Sequence, residues 1–223
     1  RRLSSPELSV AFDYIGDDGF SPGESVPAVF RQWPGGNSGV YTTEFVFDRA
    51  GDWGIKVSEA GEKGLLRVGN GTFIVTQMSS TPEIESKAPL SENRTLSDVN
   101  TLVSLTTDPY PDKDLYQLTI ANAFTNGKPT VLVLATPAFC QVLTCGPQVD
   151  VVKGLKNTYK DKVNFIHVEI FDNILEMDGD YSKGHVNSVV EEWGLPSEPW
   201  TFVIDTEGLV IAKFEGFASA MEL

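Results

Sequence analysis

Two cysteines, Cys140 and Cys145, are the residues of this chain whose type and spacing could do chemistry. They are the only cysteines among 223 residues, and both lie in the stretch VLVLATPAFCQVLTCGPQVD. A pair of thiols this close together can exchange with other disulfides, bind a soft metal ion or form a structural cross-link. In an oxidising compartment such a pair closes readily, whereas in cytosol it is more often catalytic or metal-bound.

The spacing of the two cysteines restricts how they can be joined. Residues five apart on an ideal helix point about 140° apart around its axis, so their sulfurs diverge. A disulfide needs Cβ atoms roughly 4 Å apart, so a bonded pair requires Cys140 in a loop and a helix that starts near Cys145. Gly146 and Pro147 favour that start, because proline suits the first helical turn.

A helix N-terminus also favours reactivity, because its unpaired N–H groups and its dipole stabilise a thiolate. Two assignments follow. Either Cys140, at the end of an apolar strand, attacks and Cys145 resolves, or Cys145, in the CGP motif, attacks and Cys140 resolves from upstream. The strand spacing favours the first, because packing fixes it. A purely structural disulfide stays open, although so short a loop gains less than the ~3 kcal/mol estimated for a 15-residue loop.

Composition and charge exclude several functions. The chain has 17 basic and 31 acidic residues and a net charge of −14, which repels phosphate backbones and anionic lipid headgroups. We therefore expect no nucleic-acid partner. No apolar run approaches the roughly 20 residues that span a bilayer, and no signal peptide opens the chain. We expect a mature form or fragment, with membrane contact only through an anchor that this chain does not contain.

Three regions differ in their sequence pattern. Residues 1–78 alternate apolar and polar residues in short segments separated by turn clusters, which predicts a small antiparallel β-sandwich. Residues 79–114 are polar and spotted with proline, a composition typical of a linker. This second region could also wrap along a domain, anchored by Leu102, Val103 and Leu105. Residues 115–223 change to an α/β pattern.

The third region begins with a short predicted helix, capped by Thr119 and stopped by Gly127. The apolar runs TVLVLAT and KVNFIHVEIFD predict buried strands, and GPQVDVVKGLKNTYKD between them has the apolar stripe of a helix. A further helix is predicted over HVNSVVEEWG, before the strands WTFVID and LVIAKFEG. The predicted order is β-α-β-α-β-β.

This order resembles the thioredoxin fold. Two segments resemble extracytoplasmic thioredoxins (redoxins) of the TlpA type: GKPTVLVLATPAFC, which leads to Cys140, and LPSEPWTFVIDTEGLVIAKFEG. FDRAGDWGIKV, in the first region, resembles a hairpin of bacterial immunoglobulin-like modules. We therefore predict two domains, an N-terminal all-β immunoglobulin-like sandwich over residues 1–78 and a C-terminal α/β thioredoxin-like fold over residues 115–223.

The thioredoxin resemblance implies an extracytoplasmic thiol–disulfide oxidoreductase that needs no cofactor. Its redox-active centre would consist of Cys140, Cys145 and Pro199, the last in a cis peptide bond that faces the sulfurs. The expected partners are protein thiols and disulfides, together with a membrane-bound reductase.

The chain departs from that family at several positions. Four residues rather than two separate the cysteines. Phe139 replaces the tryptophan before the first cysteine, Leu134 falls at the position of a buried acid, and Trp200 follows the expected cis-proline. The family's last helix would begin near Ser219, and because the sequence stops at Leu223 we expect that helix to be cut short.

Two other functions stay open. Sco-type copper chaperones are also thioredoxin-like and bind copper through two cysteines and a distant histidine, so this resemblance implies a copper site of Cys140, Cys145, His167 and His185. However, His167 lies in the middle of a predicted strand and His185 opens a predicted helix, where a core residue and a surface residue are expected. The other alternative is a non-enzymatic binding protein with a structural disulfide, because a fold alone does not determine a function.

Overall fold

The computed structural model describes residues 7–16, 19–61 and 64–223. The chain divides into two compact units, Arg1–Ser79 and Ser80–Leu223. None of the described helices is long and apolar enough to cross a membrane, and the longest has 15 residues.

The first unit contains one antiparallel sheet. Its hydrogen-bonded strands follow the spatial order β4-β3-β1-β5-β6, with β2 paired to β1. The strands are β1 (Leu8–Gly16), β2 (Gly19–Ser21), β3 (Ser25–Gln32), β4 (Gly39–Thr42), β5 (Gly51–Gly61) and β6 (Gly64–Val75).

Aromatic residues form the core on one face of this sheet. Phe12 of β1 and Trp53 of β5 are buried there. Phe45 and Phe47 come from the strand-free segment after β4, and their ring centroids lie 4.6 Å from Phe12 and 5.0 Å from Trp53 respectively. Aromatic side chains from an irregular segment therefore pack on this face.

The second unit has a four-stranded sheet in the order β10-β9-β7-β8. Strands β7 and β8 are parallel, and the other neighbours are antiparallel. Its elements are α1 (Ile120–Ala123), β7 (Thr130–Ala135), α2 (Cys145–Tyr159), β8 (Asn164–Glu169), α3 (Ile174–Met177), α4 (Ser188–Glu192), β9 (Trp200–Ile204) and β10 (Val210–Glu215).

Strand β7 is buried on both of its faces, because all six of its residues are buried. Alternate side chains of a strand point to opposite faces of the sheet. Leu132 and Leu134 accordingly pack in one apolar cluster together with Trp193. Val131 and Val133 pack in a second cluster, which includes Cys145 and other apolar residues of α2. The helix that carries Cys145 is thus held against the strand that leads to Cys140.

The predicted fold class, an immunoglobulin-like sandwich followed by an α/β thioredoxin-like fold, is wrong. The described residues of the first unit form one sheet rather than the two packed sheets of a sandwich. The described chain is mostly β, with two sheets and four α-helices, of which three have only four or five residues. It is therefore not the helix-rich α/β fold that the pattern indicated.

The physical reason is that apolar periodicity shows which side chains face a core, but not how strands group into sheets or how far a helix extends. The helix predicted over HVNSVVEEWG shortens to Ser188–Glu192. Asn187 caps its start, accepting a hydrogen bond from the N–H of Val189. Gly194 adopts a left-handed φ of 60° just beyond its end.

The polar segment that precedes α1 is built into the second unit. The N–H of Ala88 donates to the carbonyl of Gly208, 2.9 Å away. The side chain of Asn93 is buried, and its Oδ1 accepts a hydrogen bond from the N–H of Ile120 at 2.7 Å. Of the three predicted anchors, Leu105 is buried and Leu102 packs against the second cluster, whereas Val103 is exposed.

Candidate redox site

A disulfide bond joins Cys140 and Cys145 in the connection between β7 and α2, with the two Cα atoms 5.9 Å apart. Cys140 lies in the loop, and α2 begins at Cys145. The prediction that a bonded pair requires the helix to start at the second cysteine is confirmed. The bond closes a small ring whose inner residues are 141–144.

The two sulfurs differ in their accessibility. Cys145 is completely buried in the second apolar cluster, whereas Cys140 is partly exposed. The backbone N–H of Cys145 donates to Sγ of Cys140, 3.3 Å away. This N–H belongs to the first turn of α2, where backbone donors have no partner within the helix. The exposed sulfur therefore receives the stabilisation of negative charge that a helix N-terminus provides.

The tip of the loop is apolar and exposed. Val142 and Leu143 are 53% and 76% exposed. Leu143 also has a φ of 60°, in the left-handed region that costs an L-residue roughly 1–2 kcal/mol. The loop therefore presents two apolar side chains to solvent beside the accessible sulfur.

The peptide bond between Glu198 and Pro199 is cis, as the resemblance implied. Pro199 is buried, and its carbonyl accepts a hydrogen bond from the N–H of Gly216 at 2.8 Å. The next residue, Trp200, pairs with Leu134 near the end of β7. Pro199 therefore comes immediately before the strand adjacent to the one that leads into the disulfide loop.

The two large aromatic residues near this site belong to a different apolar cluster from the cysteines. Phe139 and Trp200 pack with the first apolar cluster, while both cysteines belong with the second. The ring of Trp200 stacks on Phe202, with centroids 5.7 Å apart.

Gln148 links α2 to two other segments. This residue is completely buried in the first turn of the helix, three positions after Cys145. Its Nε2 donates to Oγ1 of Thr201 at 2.9 Å, and its Oε1 accepts a hydrogen bond from the N–H of Ala218 at 2.8 Å. Gln148, which stands where a C-x-x-C motif would place its second cysteine, therefore binds the strand after Pro199 and the C-terminal segment.

Two carboxyl groups lie close together near the end of β7. Glu169, at the end of β8, is paired with Ala135, the last residue of β7. It is buried, and its Oε2 accepts hydrogen bonds from the N–H and hydroxyl of Thr107 at 2.7 and 2.8 Å. The second carboxyl group is that of Glu198, on which the charge of Glu169 acts. Oε2 of Glu198 is buried without a hydrogen-bond donor among the described residues.

Burial raises the pKa of Glu169 to about 7. Burial, and then the charge of Glu169, raise the pKa of Glu198 to about 7 as well. Two carboxyl groups at the start of the disulfide loop therefore change their charge near neutral pH.

The two histidines lie in different environments. His167 is buried in β8, where its Nδ1 accepts a hydrogen bond from the Tyr116 hydroxyl at 2.7 Å and its Nε2 donates to the carbonyl of Ala135 at 3.0 Å. Burial lowers the pKa of His167 to about 4. His185 is exposed before α4.

Within residues 7–16, 19–61 and 64–223, no group of three or more His, Cys, Asp or Glu side chains could hold a metal ion. The structure therefore does not assemble the cysteines and histidines of the copper alternative into one ligand set. A copper site remains an untested prediction.

Three residues near the disulfide were not predicted from the sequence as part of the site, namely Gln148, Glu169 and Glu198. A feature of the sequence marks each of them. Gln148 is a polar residue on the apolar stripe of a helix, Glu169 lies with His167 within the mainly apolar run FIHVEI, and Glu198 directly precedes the proline that the resemblance marked as cis. Charged and amide side chains are rarely buried without partners, so their place in such patterns indicates a specific contact.

No known protein family and no curated protein matches this chain. The local resemblance to redoxins around Cys140 and Pro199 therefore stays a prediction, and the functional conclusion depends on the geometry of the disulfide and its surroundings.

Proposed function

We propose that this protein is an extracytoplasmic thiol–disulfide oxidoreductase that uses the Cys140–Cys145 pair. The observation that carries the proposal is the difference between the two sulfurs. A partly exposed sulfur, which receives a helix N–H, is bonded to a completely buried one at the first residue of a 15-residue helix. Such a pair has an attacking and a resolving thiol in defined places.

The chemistry begins at Cys140, because this residue is partly exposed whereas Cys145 is completely buried. A thiolate of a substrate dithiol attacks Sγ of Cys140 and forms a mixed disulfide. The Cys140–Cys145 bond breaks with its electron pair on Cys145, which takes up a proton. The second substrate thiol then attacks its own partner sulfur and releases Cys140. Two electrons and two protons pass from the substrate to the cysteine pair, and the reverse sequence oxidises the pair.

The proposed partners are protein thiols and disulfides. The exposed side chains of Val142 and Leu143 offer an apolar contact beside the reacting sulfur, which suits a polypeptide substrate better than a small polar thiol. A stable disulfide in the resting protein is typical of an oxidising compartment outside the cytoplasm. Where the reverse sequence operates, and the pair reduces a substrate disulfide, a membrane-bound reductase returns the pair to the dithiol form.

The reduction potential of the pair tests the proposal most directly. We would equilibrate the protein in glutathione buffers and measure the fraction of reduced protein, and then measure exchange with insulin. We expect a potential above about −300 mV and measurable exchange, because structural disulfides of secreted proteins lie below this value. A pair that stays oxidised below about −300 mV and exchanges with no thiol would show that the disulfide is structural.

Single serine variants test the assignment of the two sulfurs. Cys145→Ser leaves the accessible thiol, which we expect to form a stable mixed disulfide with a substrate protein. Cys140→Ser leaves only the buried thiol, which we expect to react with iodoacetamide at least about tenfold more slowly, because exposure and thiolate character control thiol reactivity. Faster alkylation of the Cys140→Ser variant would reverse the assignment.

A further inference from the structure

The amide of Gln148 divides its two hydrogen bonds between two chain segments near Pro199. Thr201, which accepts from Nε2, is two residues after Pro199 and is itself buried in β9. Ala218, which donates to Oε1, is two residues after Gly216. Gly216 in turn donates to the carbonyl of Pro199. Each partner of the amide therefore lies two residues after one of the two residues that form the Pro199–Gly216 hydrogen bond.

The helical position of Gln148 connects this contact to the disulfide. Residues three apart on a helix share one face, so the side chains of Cys145 and Gln148 lie next to each other along α2. Farther along the same helix, Lys153 and Lys156 bind aspartates of residues 108–114 instead. Within the first turn, the amide provides a direct link from the buried sulfur's helix to the strand that follows Pro199.

The amide supplies the acceptor that the buried N–H of Ala218 requires, whereas an apolar side chain of the same length would leave this N–H without one. The two hydrogen bonds also restrict the relative positions of the segments that they join, because each bond must keep its length and angle. The contact is therefore suited to fixing a distance between elements.

We infer that Gln148 is a positioning residue for thiol–disulfide exchange, holding the Cys145 end of α2 in a fixed place relative to Pro199 in both redox states. The inference rests on the proposed function, because it assigns a role within that reaction. When the disulfide is reduced, the covalent link between the loop and α2 is lost, and the Gln148 hydrogen bonds remain to hold the helix end.

The test compares Gln148→Met, which keeps the length of the side chain without its hydrogen bonds, with Gln148→Glu, which retains oxygen acceptors for both partners. Gln117→Met is the control, because Gln117 is exposed elsewhere in the same unit. We expect Gln148→Met to lower kcat/KM for insulin by about tenfold or more, since misplacement of a reacting group by about 1 Å can cost a hundredfold. We expect Gln148→Glu to recover most of this loss and Gln117→Met to match the wild type.

Hydrogen exchange of the Ala218 amide tests the link without reference to activity. In the wild type we expect this amide to be protected in both the oxidised and the reduced protein, and to exchange faster in Gln148→Met. If Gln148→Met does not fold, Thr201→Val removes one partner with little change of shape and is expected to lower kcat/KM in the same direction.

The outcomes separate the two proposals. If Gln148→Met keeps the kcat/KM of the wild type and only its melting temperature is lower, Gln148 is a structural contact and the inference is overturned. Loss of Ala218 protection on reduction of the wild type would also overturn it. A wild-type protein that exchanges with no thiol would instead overturn the proposed function, while the Ala218 measurement would still report whether the link survives reduction.

Discussion

Glu169 and His167 should make opposite contributions to the pH dependence of stability. The two residues lie on the same face of β8, and both are buried, 4% and 2% exposed. Burial raises the pKa of Glu169 from 4.5 to about 7 and lowers the pKa of His167 from 6.5 to about 4. Both residues are therefore held mainly in their neutral forms over an acidic to neutral range.

The sign of each contribution follows from proton binding. Between pH 4.5 and about 7 the folded state keeps a proton on Glu169 that the unfolded state has lost, so the free energy of unfolding falls as pH rises. Between pH 6.5 and about 4 the unfolded state binds a proton at His167 that the folded state does not, so the free energy of unfolding falls as pH decreases. At 1.36 kcal/mol per pKa unit, each contribution is about 3 kcal/mol.

Chemical denaturation of the wild type, Glu169→Gln and His167→Gln at several pH values would measure these contributions. Relative to the wild type, the free energy of unfolding of Glu169→Gln should rise by about 3 kcal/mol between pH 4.5 and pH 7. That of His167→Gln should fall by about 3 kcal/mol, relative to the wild type, between pH 4 and pH 6.5. The exposed Glu191→Gln serves as the control.

The differences from the wild type are informative because titrating groups that do not interact with the substituted residue cancel in them. Glu198 adds to the Glu169→Gln difference in the same direction, because the charge of Glu169 helps to raise the pKa of Glu198. If both differences stay constant with pH to within about 0.5 kcal/mol, roughly a third of a pKa unit, the two side chains ionise as they do in the unfolded chain. That result would contradict the buried positions of Glu169 and His167, and with them the effect of the Glu169 charge on Glu198.

Three further predictions concern the loop, the second carboxyl group and the folding unit. Leu143→Gly should stabilise the protein by about 0.5–1 kcal/mol in thermal unfolding, because it relieves the left-handed backbone at some cost in chain entropy; Val142→Gly should destabilise it, and equal effects would refute the strain. Glu198→Gln should reduce the loss of stability as pH rises from 4.5 towards 7, since the raised pKa of Glu198 penalises its charged form; an unchanged pH profile would place this carboxyl in solvent. A fragment of Ser80–Leu223 should unfold cooperatively in circular dichroism, whereas one of 115–223, which lacks Asn93 and Leu105, should not; a folded shorter fragment would show that the polar segment is dispensable.

Local features of the site could be predicted from the sequence because they depend on short-range geometry. The start of α2 at Cys145 follows from the distance a disulfide allows, and Thr119 caps α1 as its type and place indicated, accepting a hydrogen bond from the N–H of Asn122 at 3.1 Å. The cis bond at Pro199 came only from resemblance to known proteins. No periodicity or spacing in this chain indicates it.

Features that depend on partners distant in sequence could not be predicted. Gln148 meets Ala218 across 70 residues, and Glu169 meets Thr107 across 62. The single sheet of the first unit likewise depends on which strand edges pair, whereas alternation shows only which face of each strand is apolar. The polar segment before α1 looked like a linker because many of its contacts are hydrogen bonds and ion pairs, which composition does not reveal.

The small size of the disulfide ring has a consequence for the proposed oxidation and reduction of the cysteine pair. A cross-link that spans only residues 140–145 stabilises the folded state by about 2 kcal/mol, because it restricts the unfolded chain. Helix α2 is also held by the hydrogen bonds of Gln148 and by its apolar face. In the proposed reaction, breaking the bond would release residues 141–144, of which 141–143 are exposed, while these contacts hold α2 in place. The conformational change between the two redox states of the proposed site would then be confined to this loop.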